Sequence, residues 1–247
     1  MNKYCNAYLD KLEAAKKIGN PKESQGKIAE IVKEISHAAK NNNKEAVVAY
    51  CYLQIVGYKV EQNAVAGRER LTKMINKQRC PEAMFFVAIA FLNGELGYNA
   101  DPTKSEQWFR DVALNSEFTI SDRKRATSAL HVANLYFRGE VVAKDLAEAA
   151  RFFELACSYG DIESALMLGK IYLKGAEGIF GTVITRDTSK GLDLLHKLAL
   201  DGNVDATEEI VRYHLVEATK WCRGSKSDTD LLRVSRSALE EVEWQIK

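Results

Sequence analysis

The sequence SALHVANLYFRG, from Ser128 to Gly139, returns as SALMLGKIYLKG, from Ser164 to Gly175. Alanine stands second in both copies, leucine third, tyrosine ninth and glycine twelfth. Two looser copies keep the twelve-residue span: AVVAYCYLQIVG from Ala46 to Gly57, and AMFFVAIAFLNG from Ala83 to Gly94. A degenerate fifth copy starts near Asp205. A phrase closed by glycine at a fixed offset, returning every few tens of residues, points to an array of stacked supersecondary units.

A second phrase follows each glycine. Asp101 leads to Ser105, Trp108 and Val112-Ala113; Asp145 leads to Ala149, Phe152 and Ala156-Cys157; Asp187 leads to Gly191, Leu194 and Leu198-Ala199. Tyr159-Gly160-Asp161 and Asp201-Gly202-Asn203 then read as glycine turns at helix C-termini. The unit is helix A, turn, helix B, turn. Small residues are expected where the two helices approach, and Leu, Tyr, Trp or Phe between layers. Gly57, Gly94, Gly139 and Gly175 permit the A-to-B turn, and the aspartates cap helix B.

These phrases resemble the Sel1-like repeat, a relative of the tetratricopeptide repeat. The resemblance is strongest from Ser128 to Gly202, good from Ala83 to Ser116 and weaker from Ala46 to Gln78. It implies an all-α, right-handed α/α solenoid of about five antiparallel helix pairs. One solenoid domain over 1–247 is expected: cap helices over 1–45, four repeats over 46–204, and a degenerate capping repeat over 205–247. Helices are expected from about Tyr4 to Lys17 and Gly26 to Lys40 at one end, and from Ala206 to Cys222 and Asp230 to Ile246 at the other.

Composition agrees with this class. The chain has 247 residues, 46% hydrophobic, with only three prolines, Pro21, Pro81 and Pro102, each expected at a helix boundary. Thirty-five basic residues against 34 acidic leave a formal charge of +1, so no global field favours nucleic acid or anionic lipid. The amino terminus lacks an apolar signal segment and no run reaches membrane-spanning length, which predicts a cytoplasmic protein without membrane insertion. Cys5, Cys51, Cys80, Cys157 and Cys222 form no C-x-x-C and read as reduced thiols.

Repeat starts at 46, 83, 128, 164 and 205 place extra residues in two stretches. One lies between Leu114 and Thr127, around Arg123-Lys124-Arg125. The other, between Gly175 and Asp187, carries Ile179, Phe180, Val183 and Ile184. Insertions of this kind can enlarge a binding face or simply pack.

Catalytic constellations are missing from the sequence. His37, His131, His196 and His214 lack metal-ligand spacing, so no metal and no cofactor is expected. Gly175, Gly178 and Gly181 follow a helix instead of joining a strand to one, unlike a dinucleotide loop. Ser121-Asp-Arg-Lys124 has the S-x-x-K spacing of penicillin-recognising enzymes, and some proteins of this repeat family have been linked to β-lactams. No S-D-N or K-T-G accompanies it, and Ser121 reads better as a helix cap. A β-lactam-binding or hydrolysing enzyme is the remote alternative.

The resemblance implies a concave surface lined by the third, seventh, tenth and eleventh positions of helix A. Partner-binding residues are therefore expected at Val48, Tyr52, Phe85, Ile89, Leu92, Asn93, Asn134, Arg138, Lys170 and Lys174. Ile55, Leu92, Phe137 and Leu173 read equally well as core. The function implied is an adaptor or scaffold for another protein or peptide, with apolar anchors at one end and an acidic group at the other. An immunity or regulatory protein neutralising one toxin or enzyme is the alternative. Oligomeric state and a binding role for the 176–186 loop stay open.

Overall fold

The computed structural model describes residues 3–178 and 183–224. The helices are α1 (Ala7–Lys16), α2 (Pro21–Lys40), α3 (Lys44–Val56), α4 (Ala64–Gln78), α5 (Pro81–Asn93), α6 (Pro102–Leu114), α7 (Asp122–Arg138), α8 (Leu146–Ser158), α9 (Ile162–Lys174), α10 (Thr188–Leu200) and α11 (Val204–Gly224). Two short strands, β1 (Ala176–Glu177) and β2 (Val183–Ile184), precede α10. The fold is an all-α solenoid of helix pairs.

Each proline opens a helix. Pro21, Pro81 and Pro102 occupy the first turn of α2, α5 and α6, where an amide N–H would have no intrahelical acceptor. Asn20 accepts from the amides of Lys22 and Glu23, so α2 starts five residues before the expected Gly26.

The A-to-B turn opens on a positive-φ glycine four times. Gly57, Gly94, Gly139 and Gly175 have φ of +69°, +63°, +70° and +76°. Each donates its amide back one helical turn, to the carbonyls of Leu53, Ala90, Leu135 and Ile171. Asn63, Asp101, Asp145 and Asp187 then cap helix B, their side chains accepting from the amides of Ala66, Lys104, Glu148 and Lys190 at 2.9–3.0 Å. The amides of these caps close back onto the ninth position of helix A, on the carbonyls of Gln54, Phe91, Tyr136 and Tyr172 at 2.9–3.0 Å. One residue thus starts helix B and ties it to helix A.

Small residues meet where A crosses B. The sixth position of helix A is Cys51, Ala88, Ala133 or Gly169; the fourth after the cap is Gly67, Ser105, Ala149 or Gly191. Ser105 Oγ donates to the Ala88 carbonyl at 2.8 Å, and a methyl placed on Gly67 would lie 3.0 Å from the Cys51 carbonyl. Such close approach lets helices interlock with little intervening side chain.

The chain divides into two units, residues 1–132 and 133–247, with the boundary inside α7. In the first, α1 packs on α2, α3 on α4 and α5 on α6, around Ile35, Val48, Leu53, Leu71, Phe85, Phe86, Phe109 and Val112. In the second, α9 packs on α8 and α10, and α10 on α11. Its core holds Phe152 and Phe153, and a cluster of Ala165, Leu166, Leu173, Leu195, Leu198, Ala206 and Ile210.

Both extra stretches differ from simple loops. The helix of the third repeat begins at Asp122, which places Arg123, Lys124 and Arg125 in its first turn. Lys124 and Arg125 are buried, so this cluster does not present a cationic binding face. The Arg125 guanidinium donates to the carbonyls of Asn115 at 2.8 Å and Phe118 at 2.7 Å, satisfying acceptors just beyond the end of α6. In the other stretch, β1 and β2 pair antiparallel, Ala176 opposite Ile184 and Glu177 opposite Val183. Ile179, Phe180 and the expected helix from Asp230 to Ile246 lie outside the described residues.

Candidate functional sites: an aromatic pocket and two exposed cations

The first unit contains a pocket of about 380 Å³ at its amino-terminal end. Leu9 and Leu12 of α1, Tyr52, Leu53 and Val56 of α3, and Tyr58 supply its apolar walls; Lys3, Glu13 and Lys16 stand among its polar lining. Asn6 fixes α1 there by capping Tyr8 and Leu9 and donating to the Glu45 carbonyl at 3.0 Å.

An aromatic cluster forms one side. Tyr4 stacks on Phe86 at 4.4 Å between centroids and lies 5.7 Å from Tyr52, which meets Phe86 edge-on at 6.2 Å. The Tyr4 hydroxyl and the Lys3 ammonium both donate to Glu95, and Asn93 reaches the same carboxylate at 3.4 Å. Burial alone would raise the Glu95 carboxyl, but hydrogen bonds from Lys3 and Tyr4 outweigh it and hold its pKa below the usual range. Burial, and then the Glu95 carboxylate, push the Tyr4 phenol up. Lys16 Nζ lies 4.7 Å from the Tyr58 ring centroid, its pKa raised by its hydrogen bond to Glu13. The hydroxyls of Tyr52 and Tyr58 have no hydrogen-bond partner among the described residues.

The expected partner-binding residues separate by exposure. Val48, Phe85 and Ile89 are 2%, 0% and 3% exposed, and Phe85 packs edge-on against Phe109 at 5.8 Å. These three are core, because the third position of α3 and the third and seventh positions of α5 are covered by neighbouring elements, whereas the seventh position of α3, Tyr52, is not. Tyr52 and Leu92 are partly exposed and Asn93 is exposed; Tyr52 lines the pocket and Asn93 joins the Glu95 cluster beside it.

In the second unit Asn134 and Lys170 are partly exposed, and Arg138 and Lys174 are exposed. Lys170 Nζ stands 3.9 Å from Glu209, which Arg212 also holds at 3.1 Å. Arg138 and Lys174 have no ion pair among the described residues. Val204, Leu215 and Val216 are exposed on α11, where they border a cleft with Val211.

The S-x-x-K match does not assemble a nucleophile and base. Ser121 stands before α7, and its Oγ lies 3.5 Å from the Lys124 amide in the position of a cap. The Lys124 ammonium turns to Glu45 at 3.1 Å, away from Ser121 Oγ. Burial pushes the thiols of Cys51 and Cys80 up to about 11, which removes thiolate character at neutral pH. Among the described residues no group of His, Cys, Asp and Glu has the arrangement of a metal site, and no helix is long and apolar enough to cross a membrane.

Leu9, Leu12 and Tyr58 escape a sequence reading of the lining because they lie outside the helix A phrases. The apolar spacing of α1 is the sequence signal for Leu9 and Leu12; Tyr58, just after Gly57, carries none.

The Sel1 repeat profile matches residues 81–110, 126–161 and 162–203. Residues 81–203 carry Sel1 repeats. Among solved structures, a Sel1 repeat protein from Oxalobacter formigenes is similar with a TM-score of 0.56 and 19% identity, over 96% of this chain and 89% of that one. The protein c5321, a protective antigen of uropathogenic Escherichia coli displaying an SLR fold, also gives a TM-score of 0.56 and 19% identity. That match covers 85% of this chain but 41% of the other. At this identity the likeness is one of fold. No curated protein sequence matches the chain. The Sel1 matches begin at Pro81, so the lining residues of the aromatic pocket, 3–58, lie outside them, while Phe86, Asn93 and Glu95 beside the pocket fall within.

Proposed function

We propose that this Sel1 repeat protein binds another protein or peptide, and that its amino-terminal aromatic pocket takes an apolar anchor of that partner. Sel1 repeat arrays serve generally in protein–protein interaction. The observation that carries the assignment is the pocket itself: apolar walls, two tyrosine hydroxyls without partners among the described residues, and a charged rim. Aromatic-lined concavities with a few polar groups supply much of the affinity in protein recognition.

Arg138 and Lys174 supply the acidic preference expected of the partner. Each is exposed and unpaired among the described residues, so a carboxylate would meet little competition. Val48, Phe85 and Ile89 have no part in contact, being enclosed. The role is that of an adaptor or scaffold in the cytoplasm, acting by binding alone.

The test is capture of partners from the native cell by wild type, Tyr52→Ser, and Arg138→Glu with Lys174→Glu. One specific partner should be retained by wild type and lost or sharply reduced in each variant, with melting temperatures showing that the variants fold. A partner set identical in all three proteins would reject the assignment.

A further inference from the structure

A second cavity of the first unit, about 430 Å³, lies between α3 and α4, away from the residues that line the aromatic pocket. Lys44, Arg70 and Lys73 line it, with no carboxylate among its lining residues. None of the three has an ion pair among the described residues. Glu45, adjacent in sequence, is committed to Lys124 at 3.1 Å.

Local stability gives no reason for this arrangement. Lys44 is the first residue of α3, where the helix dipole already presents positive charge and a cation is disfavoured. Arg70 and Lys73 stand three apart on α4, neighbours of like charge on the helix surface. An anion in the cavity relieves both repulsions at once.

The remaining lining sets the class of anion. Val47 and Met74 are buried and form an apolar floor, while Asn42 and Gln78 offer primary amides that can both donate and accept. An inorganic anion would leave the floor and the amide acceptors unused. We infer that this cavity binds an acidic protein segment in which an aliphatic residue is flanked by carboxylates: the side chain on Val47 and Met74, the carboxylates on Lys44, Arg70 and Lys73, and the backbone against Asn42 and Gln78. The inference rests on the protein-binding role proposed above and assigns it a second contact, independent of Tyr52.

The experiment is fluorescence anisotropy on the full chain with a labelled Glu-Asp-Leu-Asp-Glu peptide, its Gln-Asn-Leu-Asn-Gln counterpart, and tripolyphosphate as competitor. The acidic peptide should bind saturably and the amide counterpart at least about tenfold more weakly, a difference of about 1.4 kcal/mol. Arg70→Gln with Lys73→Gln should weaken binding about tenfold and flatten its salt dependence, and Lys44→Gln, at an exposed position, should do so to a lesser degree. Lys22→Gln with Lys33→Gln, exposed on α2, should stay within about twofold of wild type. Equal binding of the two peptides, unchanged affinity in both cavity variants, or displacement by tripolyphosphate at concentrations well below those of the peptide would overturn the assignment. Failure here leaves capture through Tyr52 intact, and failure of that capture leaves peptide binding here intact, so the two are separable.

Discussion

Gly169 of α9 and Gly191 of α10 meet backbone against backbone: a methyl placed on Gly191 would lie 3.0 Å from the Gly169 carbonyl oxygen and 3.0 Å from Leu173 Cδ2. A methyl on Gly169 would lie 2.8 Å from Leu195 Cγ, in a side chain with no exposure. The same crossing is made by Gly67 against Cys51 and by the Ser105 hydroxyl on the Ala88 carbonyl.

Alanine at Gly169 gains up to about 1 kcal/mol of helix propensity and loses roughly 1–3 kcal/mol to overpacking, so it should destabilise on balance. Gly26 lies inside α2, where an added methyl would have nothing within 4 Å, and alanine there should instead stabilise by up to about 1 kcal/mol. Urea denaturation of Gly169→Ala and Gly26→Ala should therefore shift in opposite directions.

Alanine at Asp101, Asp145 or Asp187 should cost about 1 kcal/mol each, because each leaves one first-turn amide of helix B without its cap. Asparagine should cost much less. Asn63 already performs the same task in the first repeat, accepting from Ala66 at 3.0 Å. Thermal unfolding of the six variants gives the comparison.

Replacing Arg125 with lysine should not preserve stability. The planar guanidinium reaches the carbonyls of Asn115 and Phe118 from separate nitrogens, and a single ammonium cannot reproduce that fork. A loss of about 2–3 kcal/mol is expected for Arg125→Lys, measured by denaturant unfolding.

His131 stacks on Phe109 with 4.6 Å between ring centroids, and burial lowers its pKa to about 4. The native state therefore favours the neutral ring. Its contribution is fully present above the unfolded pKa of about 6.5 and is lost as pH falls towards 4, by up to about 3 kcal/mol. Unfolding of His131→Leu compared with wild type should show a shallower decline between pH 7 and 4, and parallel curves would reject the assignment.

The repeated turns are legible in the sequence because their causes are local. Glycine at the twelfth position needs positive φ, the aspartate needs only the amides three residues on, and proline suits only the first turn. The contacts of Arg123-Lys124-Arg125 are not legible in this way, for the opposite reason. The sequence leaves open whether this stretch widens a binding face or packs, because Lys124 finds Glu45 and Arg125 finds the α6 terminus only once the helices pack.

By itself, then, the sequence determined the repeated helix pairs of the described residues, their register and their caps, all set by spacing within a few turns of chain. The tertiary structure alone decided which apolar positions remain accessible. Val48, Tyr52, Phe85 and Ile89 share one helical pattern, yet three are enclosed and one lines a pocket, because accessibility depends on what neighbouring elements cover. The convergence of Lys44 with Arg70 and Lys73 has the same origin. Charges on separate helices become neighbours through packing, which no local spacing encodes.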